Sequence, residues 1–78
     1  GTRGDTMATC VSFHPVDDVL AIGYGDGMVM AVRAADQKEV LLRRPGKGAI
    51  TALDWDNKGT RLVFGSETGD CGVIDISG

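Results

Sequence analysis

Two stretches decide the reading: Thr9-Cys10-Val11-Ser12-Phe13-His14-Pro15 and Thr51-Ala52-Leu53-Asp54-Trp55-Asp56-Asn57, which align without a gap when the second is set 42 positions behind the first. The register carries on downstream, with Leu20 falling on Leu62, Ala21 on Val63, Ile22 on Phe64, Gly23 on Gly65, Gly27 on Gly69 and Val32 on Ile74. Aromatic meets aromatic and glycine meets glycine. Self-similarity at a fixed period marks a chain built from copies of one supersecondary unit that cannot bury its apolar face alone.

Outward from those stretches, short runs with period-two alternation and β-branched content recur, each bounded by Gly, Pro, Asp or Asn, which is the strand and turn pattern. The pattern predicts seven strands at 7–13, 18–24, 28–33, 38–43, 49–55, 60–66 and 70–76, and no helix. Pro15-Val16-Asp17-Asp18, Gly25-Asp26-Gly27 and Asn57-Lys58-Gly59 supply the turns through preset φ, tolerance of the left-handed region and local side-chain hydrogen bonds. So many strands in 78 residues imply an all-β antiparallel meander. A period of about 40 to 45 residues with four strands per unit is that of one propeller blade, whereas leucine-rich, ankyrin and tetratricopeptide units are shorter and contain helix.

At this point the residues resemble the WD-repeat family. The first unit reads T-C-V-S-F-H-P, V-L-A-I-G-Y-G-D-G and M-V-M-A-V-R; the second reads I-T-A-L-D-W-D, R-L-V-F-G-S-E-T-G and C-G-V-I-D. The resemblance runs from about residue 7 to 76. It implies two four-stranded antiparallel meander blades of a β-propeller, the second lacking its outer strand because only Ser77 and Gly78 follow Ile76. The expected divisions are an N-terminal segment 1–6, a first blade with its connecting loop 7–48 and an incomplete second blade 49–78. The family's Trp-Asp dipeptide is replaced by Val32-Arg33 and Ile74-Asp75, and its Gly-His has at best the counterpart Gly46-Lys47. The repeats are degenerate.

In the family, a turn Asp, a His, a Ser or Thr and a Trp form a hydrogen-bonded network within each blade. Asp26 stands at the turn Asp position, but its equivalent is Thr68, and His and Trp are missing from the matching places. Apolar packing between faces is expected to replace the network, with Val11, Phe13, Leu20 and Ile22 set against Leu53, Trp55, Leu62 and Phe64. Ala8, Cys10, Ala21, Ala31, Ala52 and Val63, on the alternate positions, are expected to face an adjacent blade. Two blades leave apolar faces uncovered, and repeats need about three units for stability. Closure then requires more blades or homo-oligomerisation into a ring.

The net charge of −3 works against a phosphate-backbone partner, which calls for clustered Lys and Arg. No apolar run is long enough to span a bilayer, and Gly1-Thr2-Arg3-Gly4-Asp5 lacks the order of a signal peptide. Cys10 and Cys71 have neither zinc nor CxxC spacing and read as reduced core residues, which favours a cytoplasmic location. No cofactor, metal, nucleic acid or membrane partner is expected.

Individual motifs read as structure rather than chemistry. Arg3-Gly4-Asp5 spells an adhesion tripeptide that three residues produce easily by chance. His14-Pro15 ends an inner strand where the family turns, so His14 is read as structural. Asp54 and Asp56, with Asp17-Asp18 in the matching turn, lack a third metal ligand. Gly23-Tyr24-Gly25-Asp26-Gly27 leads into a strand and not a helix, and Gly46-Lys47-Gly48 lacks the P-loop context, so neither is a phosphate cradle. Arg43, Arg44 and Lys47 form the basic cluster, in the loop between blades, and are the candidate rim for a protein partner.

The resemblance implies a non-enzymatic protein-interaction scaffold whose partner is another protein or the remaining blades of a larger propeller. The alternatives are a self-assembling fragment that closes a homomeric ring and a ligand-binding or enzymatic propeller, which would need convergent polar groups at the axis.

Overall fold

In a computed structural model, residues 7–46 and 48–76 are described. Seven strands form where the alternating runs predict them: β1 (Ala8–Phe13), β2 (Val19–Tyr24), β3 (Val29–Arg33), β4 (Lys38–Arg43), β5 (Ile50–Trp55), β6 (Arg61–Ser66) and β7 (Cys71–Asp75). They pair in chain order into a four-stranded sheet β1-β2-β3-β4 and a three-stranded sheet β5-β6-β7, with every pairing antiparallel. The described residues contain no helix.

The sequence repeat is a backbone repeat as well. The turn bonds His14 N–H to Val19 O, Tyr24 N–H to Met28 O, Gly25 N–H to Met7 O and Ala34 N–H to Asp18 O recur as Asp56 to Arg61, Ser66 to Asp70, Glu67 to Ala49 and Ile76 to Thr60. Both first strands carry a bulge at the same place, between Ala8 and Cys10 and between Ile50 and Ala52. The β2–β3 and β6–β7 turns each need a left-handed glycine, and Gly27 and Gly69 supply it at φ 92° and 90°.

One face of the first sheet lies against one face of the second. Ala21 and Val29 from the first sheet meet Ile50, Trp55 and Leu62 from the second, with Cys10, Val19, Leu42, Leu53, Phe64, Ile74 and Ile76 packed around them. Ile50, Leu62 and Val29 are fully buried. Each contributes about 1.5–3 kcal/mol by leaving water.

The observed contact corrects the expected one. Val11, Phe13, Leu20 and Ile22 share a face through their register with one another, but that face points away from the second sheet, leaving Val11 and Phe13 exposed. Their repeat equivalents Leu53, Trp55, Leu62 and Phe64 do point inward. Units stacked by one repeated operation bring the opposite face of one against the recurring face of the next, so equivalent faces cannot meet. The alternate set divides for the same reason: Ala21, Ala31 and Cys10 face the second sheet, whereas Ala52 and Val63 lie on its far, exposed side.

Cys71 is also corrected. It is exposed on β7, and Cys10 is half-buried; both thiols are free.

Candidate interaction surfaces

The candidate surfaces are the junction between the sheets, the basic loop and the two outward faces. The junction shows what such a surface looks like when filled. Thr9 Oγ1 donates to Ile50 O at 2.6 Å, and the Cys10 thiol to the same carbonyl at 3.6 Å. Ile50 fits against Gly23, where a Cβ would come within 2.5 Å of Ile50 Cγ2, so only glycine leaves room. Trp55 Nε1 donates to Ser12 O at 3.0 Å, giving the buried indole its partner.

His14 closes the same junction at its rim. Its Nδ1 accepts the N–H groups of Val16 at 3.0 Å and Asp17 at 2.8 Å, which places the ring proton on Nε2. Nε2 donates that proton to Gly59 O at 2.9 Å, across 45 residues of sequence. The ring meets Trp55 edge-on at a 4.7 Å centroid separation. Gly59 holds φ 74° in the β5–β6 turn, with its Cα facing the His14 ring. The sequence marked His14 as structural but carried no sign of its partner, because the pairing is defined only when the two sheets stack.

Asp56, the repeat equivalent of His14, folds back on its own turn. Its Oδ1 accepts the N–H of Thr60 at 2.8 Å and of Arg61 at 3.2 Å, and its Oδ2 accepts the Thr60 hydroxyl at 3.0 Å. Partial desolvation works to raise its pKa, but the Arg61 and Thr60 N–H groups and the Thr60 hydroxyl outweigh it and hold the carboxyl below its ordinary value of 3.8. Asp54 is exposed on the outward face of β5. Among the described residues no three His, Cys, Asp or Glu side chains converge as a metal site, and no helix is long and apolar enough to cross a membrane.

The basic cluster divides. The Arg43 guanidinium donates to Gly27 O at 2.9 Å and lies over the Phe64 ring at 4.8 Å, so it ties the β2–β3 turn to the second sheet. Arg44 is exposed, and Lys47 lies outside the described residues, as does Arg3-Gly4-Asp5. Gly25 and Gly27 form a hairpin turn, and Gly46 N–H donates to Asp26 O, so this glycine-rich segment is spent on backbone bonds.

A groove of about 150 Å³ is lined by Val19, Ala31, Arg33, Lys38, Val40 and Leu42 of the first sheet and by Ile76, which follows β7. Of the outward faces, that of the first sheet exposes Val11, Phe13 and Leu41, and that of the second exposes Val63 and Val73.

Comparison with known proteins gives two findings. Residues 11–78 match the family model of the anaphase-promoting complex subunit 4 WD40 domain. U3 small nucleolar RNA-associated protein 12 of Saccharomyces cerevisiae is 46% identical over 67 residues, covering 82% of this chain. The chain spans about 7% of that relative's length.

Proposed function

The chain belongs to the WD-repeat family, and from that premise we propose that it is a non-enzymatic scaffold unit, residues 7–48 and 49–78 forming two consecutive blades that hold other folded protein on their faces and rim. The observation that carries the reading is the apolar outward face of the first sheet, with Phe13 75% exposed, on a unit whose inner junction buries Val29, Ile50 and Leu62. Such a face calls for a further folded surface. The test is binding of a hydrophobic dye to the chain and to its Val11→Glu/Phe13→Glu variant: the reading predicts strong fluorescence that falls in the variant while the β-sheet circular dichroism stays unchanged, and equal fluorescence contradicts it.

Arg44 and Lys47 are the residues proposed to meet an acidic protein at the rim; Arg43 is committed to Gly27 and Phe64. A net charge of −3 favours contact through protein over contact with a phosphate backbone, even within an assembly containing RNA. The relative's name associates it with a small nucleolar RNA. That association favours a nuclear site over the cytoplasm for this chain. A gel-shift titration against single-stranded RNA checks the partner class: no shift at physiological salt is the predicted result, and a salt-sensitive shift lost on Arg44→Glu would reassign the rim to nucleic acid.

A further inference from the structure

The connection between β4 and β5 passes between two turns of equivalent backbone, the β2–β3 turn at Gly27 and the β6–β7 turn at Gly69, and touches both. On the first, Gly46 N–H donates to Asp26 O at 2.8 Å and the Arg43 guanidinium donates to Gly27 O at 2.9 Å. A Cβ on Gly27 would stand 2.9 Å from Gly48 O. On the second, Glu67 N–H donates to Ala49 O at 2.9 Å, and a Cβ on Gly48 would come within 2.6 Å of Thr68 Cγ2. Glycine at both positions, at φ 92° and 79°, lets the chain through so narrow a gap.

The two turns differ in what closes them. Nothing lies within 4 Å of the place a Cβ on Gly69 would take, and that turn is bridged by its own Ser66 and Thr68 hydroxyls, 2.8 Å apart. The Gly27 turn is closed instead by the connection, and Arg43 is the side chain that fastens it. Its guanidinium bonds the first sheet's turn, lies over the Phe64 ring of the second at 4.8 Å, and borders Gly46, where a Cβ would stand 3.7 Å from both terminal nitrogens. A planar guanidinium can lie on a ring face and donate from its edge at once, which a lysine ammonium, a point charge, does not reproduce. Beyond this base Arg44 and Pro45 are exposed.

We propose that Arg43 is the positioning residue of the rim: it fastens the β4–β5 connection between the two turns, so that Arg44 meets an acidic protein segment from a base already formed. The charge offered to the partner is that of Arg44, and Arg43 acts through the backbone it holds. A pre-formed loop leaves little ordering to be done on association, which strengthens binding without a new contact. The inference rests on the proposed rim for its partner, but not for the fastening itself.

The experiment follows amide hydrogen exchange by nuclear magnetic resonance on the isotope-labelled 78-residue chain, together with titration by an oligoglutamate peptide, for the wild type, Arg43→Lys, Gly48→Ala and Arg44→Gln. The Gly46 amide is expected to be protected in the wild type. Arg43→Lys keeps the charge, yet should speed Gly46 exchange about tenfold and weaken peptide binding about threefold or more, with the salt dependence of binding unchanged because the number of cations is the same. Gly48→Ala touches no charge and should do the same by crowding Thr68, which keeps the test open should Arg43→Lys lose its β-sheet circular dichroism. Arg44→Gln should weaken binding and flatten its salt dependence while Gly46 stays protected. A wild-type Gly46 amide that exchanges as fast as open chain overturns the inference, as does a folded Arg43→Lys chain that matches the wild type in exchange or in binding. Absence of peptide binding, or binding that Arg44→Gln leaves unchanged, overturns the rim reading instead, and Gly46 exchange still decides the fastening.

Discussion

Gly59 shows how a single residue ties sequence to assembly, because it must be glycine for two reasons: φ 74° in its turn and a neighbouring imidazole against its Cα. Gly59→Ala is expected to cost more than about 2 kcal/mol, summing the left-handed penalty and the displacement of His14; urea unfolding followed by circular dichroism measures it. Asp56 gives the pH dependence. Its carboxyl pKa is held below 3.8 in the folded chain, so its hydrogen bonds stabilise the fold fully above that value and are lost as pH falls through the lower, folded value. The stability gap between the wild type and Asp56→Ala should therefore be constant near neutrality and vanish in that acid window; a gap that persists at the lowest pH would assign the effect to something other than the charge. At this scale the sequence was legible for turn glycines, whose role is local, and silent for Arg43, whose role as a tie to Phe64 exists only after the two sheets meet.

Among elements, the strand positions follow from alternation and turn residues, which act over a few neighbours, and β1 to β7 lie where those rules place them. The face each strand turns inward does not follow, because β2 and β6 are apolar on both faces: Leu20 and Ile22 alternate with Ala21, and Leu62 and Phe64 with Val63. Period-two reasoning has nothing to choose between two apolar faces. Leu62 and Val63, neighbours in β6, now separate the alternatives, since Leu62 is fully buried and Val63 is 45% exposed. Leu62→Ala is expected to cost about 2–5 kcal/mol and Val63→Ala well under half of that, read from the same urea midpoints. Equal costs would mean that the second sheet also buries its far face.

For the whole molecule, the repeat of 42 positions, from Thr9 to Thr51, carries the architecture, and what it leaves implicit is the operation relating the two blades. That operation is set by three contacts that no local signal announces: Thr9 on Ile50, Ser12 with Trp55 and His14 with Gly59. The candidate rim was legible as charge but not as geometry, since counting Arg and Lys cannot show which guanidinium is already bonded. Contacts across that junction give the most direct test of the central claim, that two WD-type blades stack through one defined junction. Nuclear Overhauser spectroscopy on the isotope-labelled chain should show cross-peaks from the Trp55 indole N–H to Ser12, from the Ile50 methyls to the Gly23 Hα protons and from the His14 ring to Gly59. Within-sheet cross-peaks for β1–β4 and β5–β7 with none joining the two sheets would contradict the account.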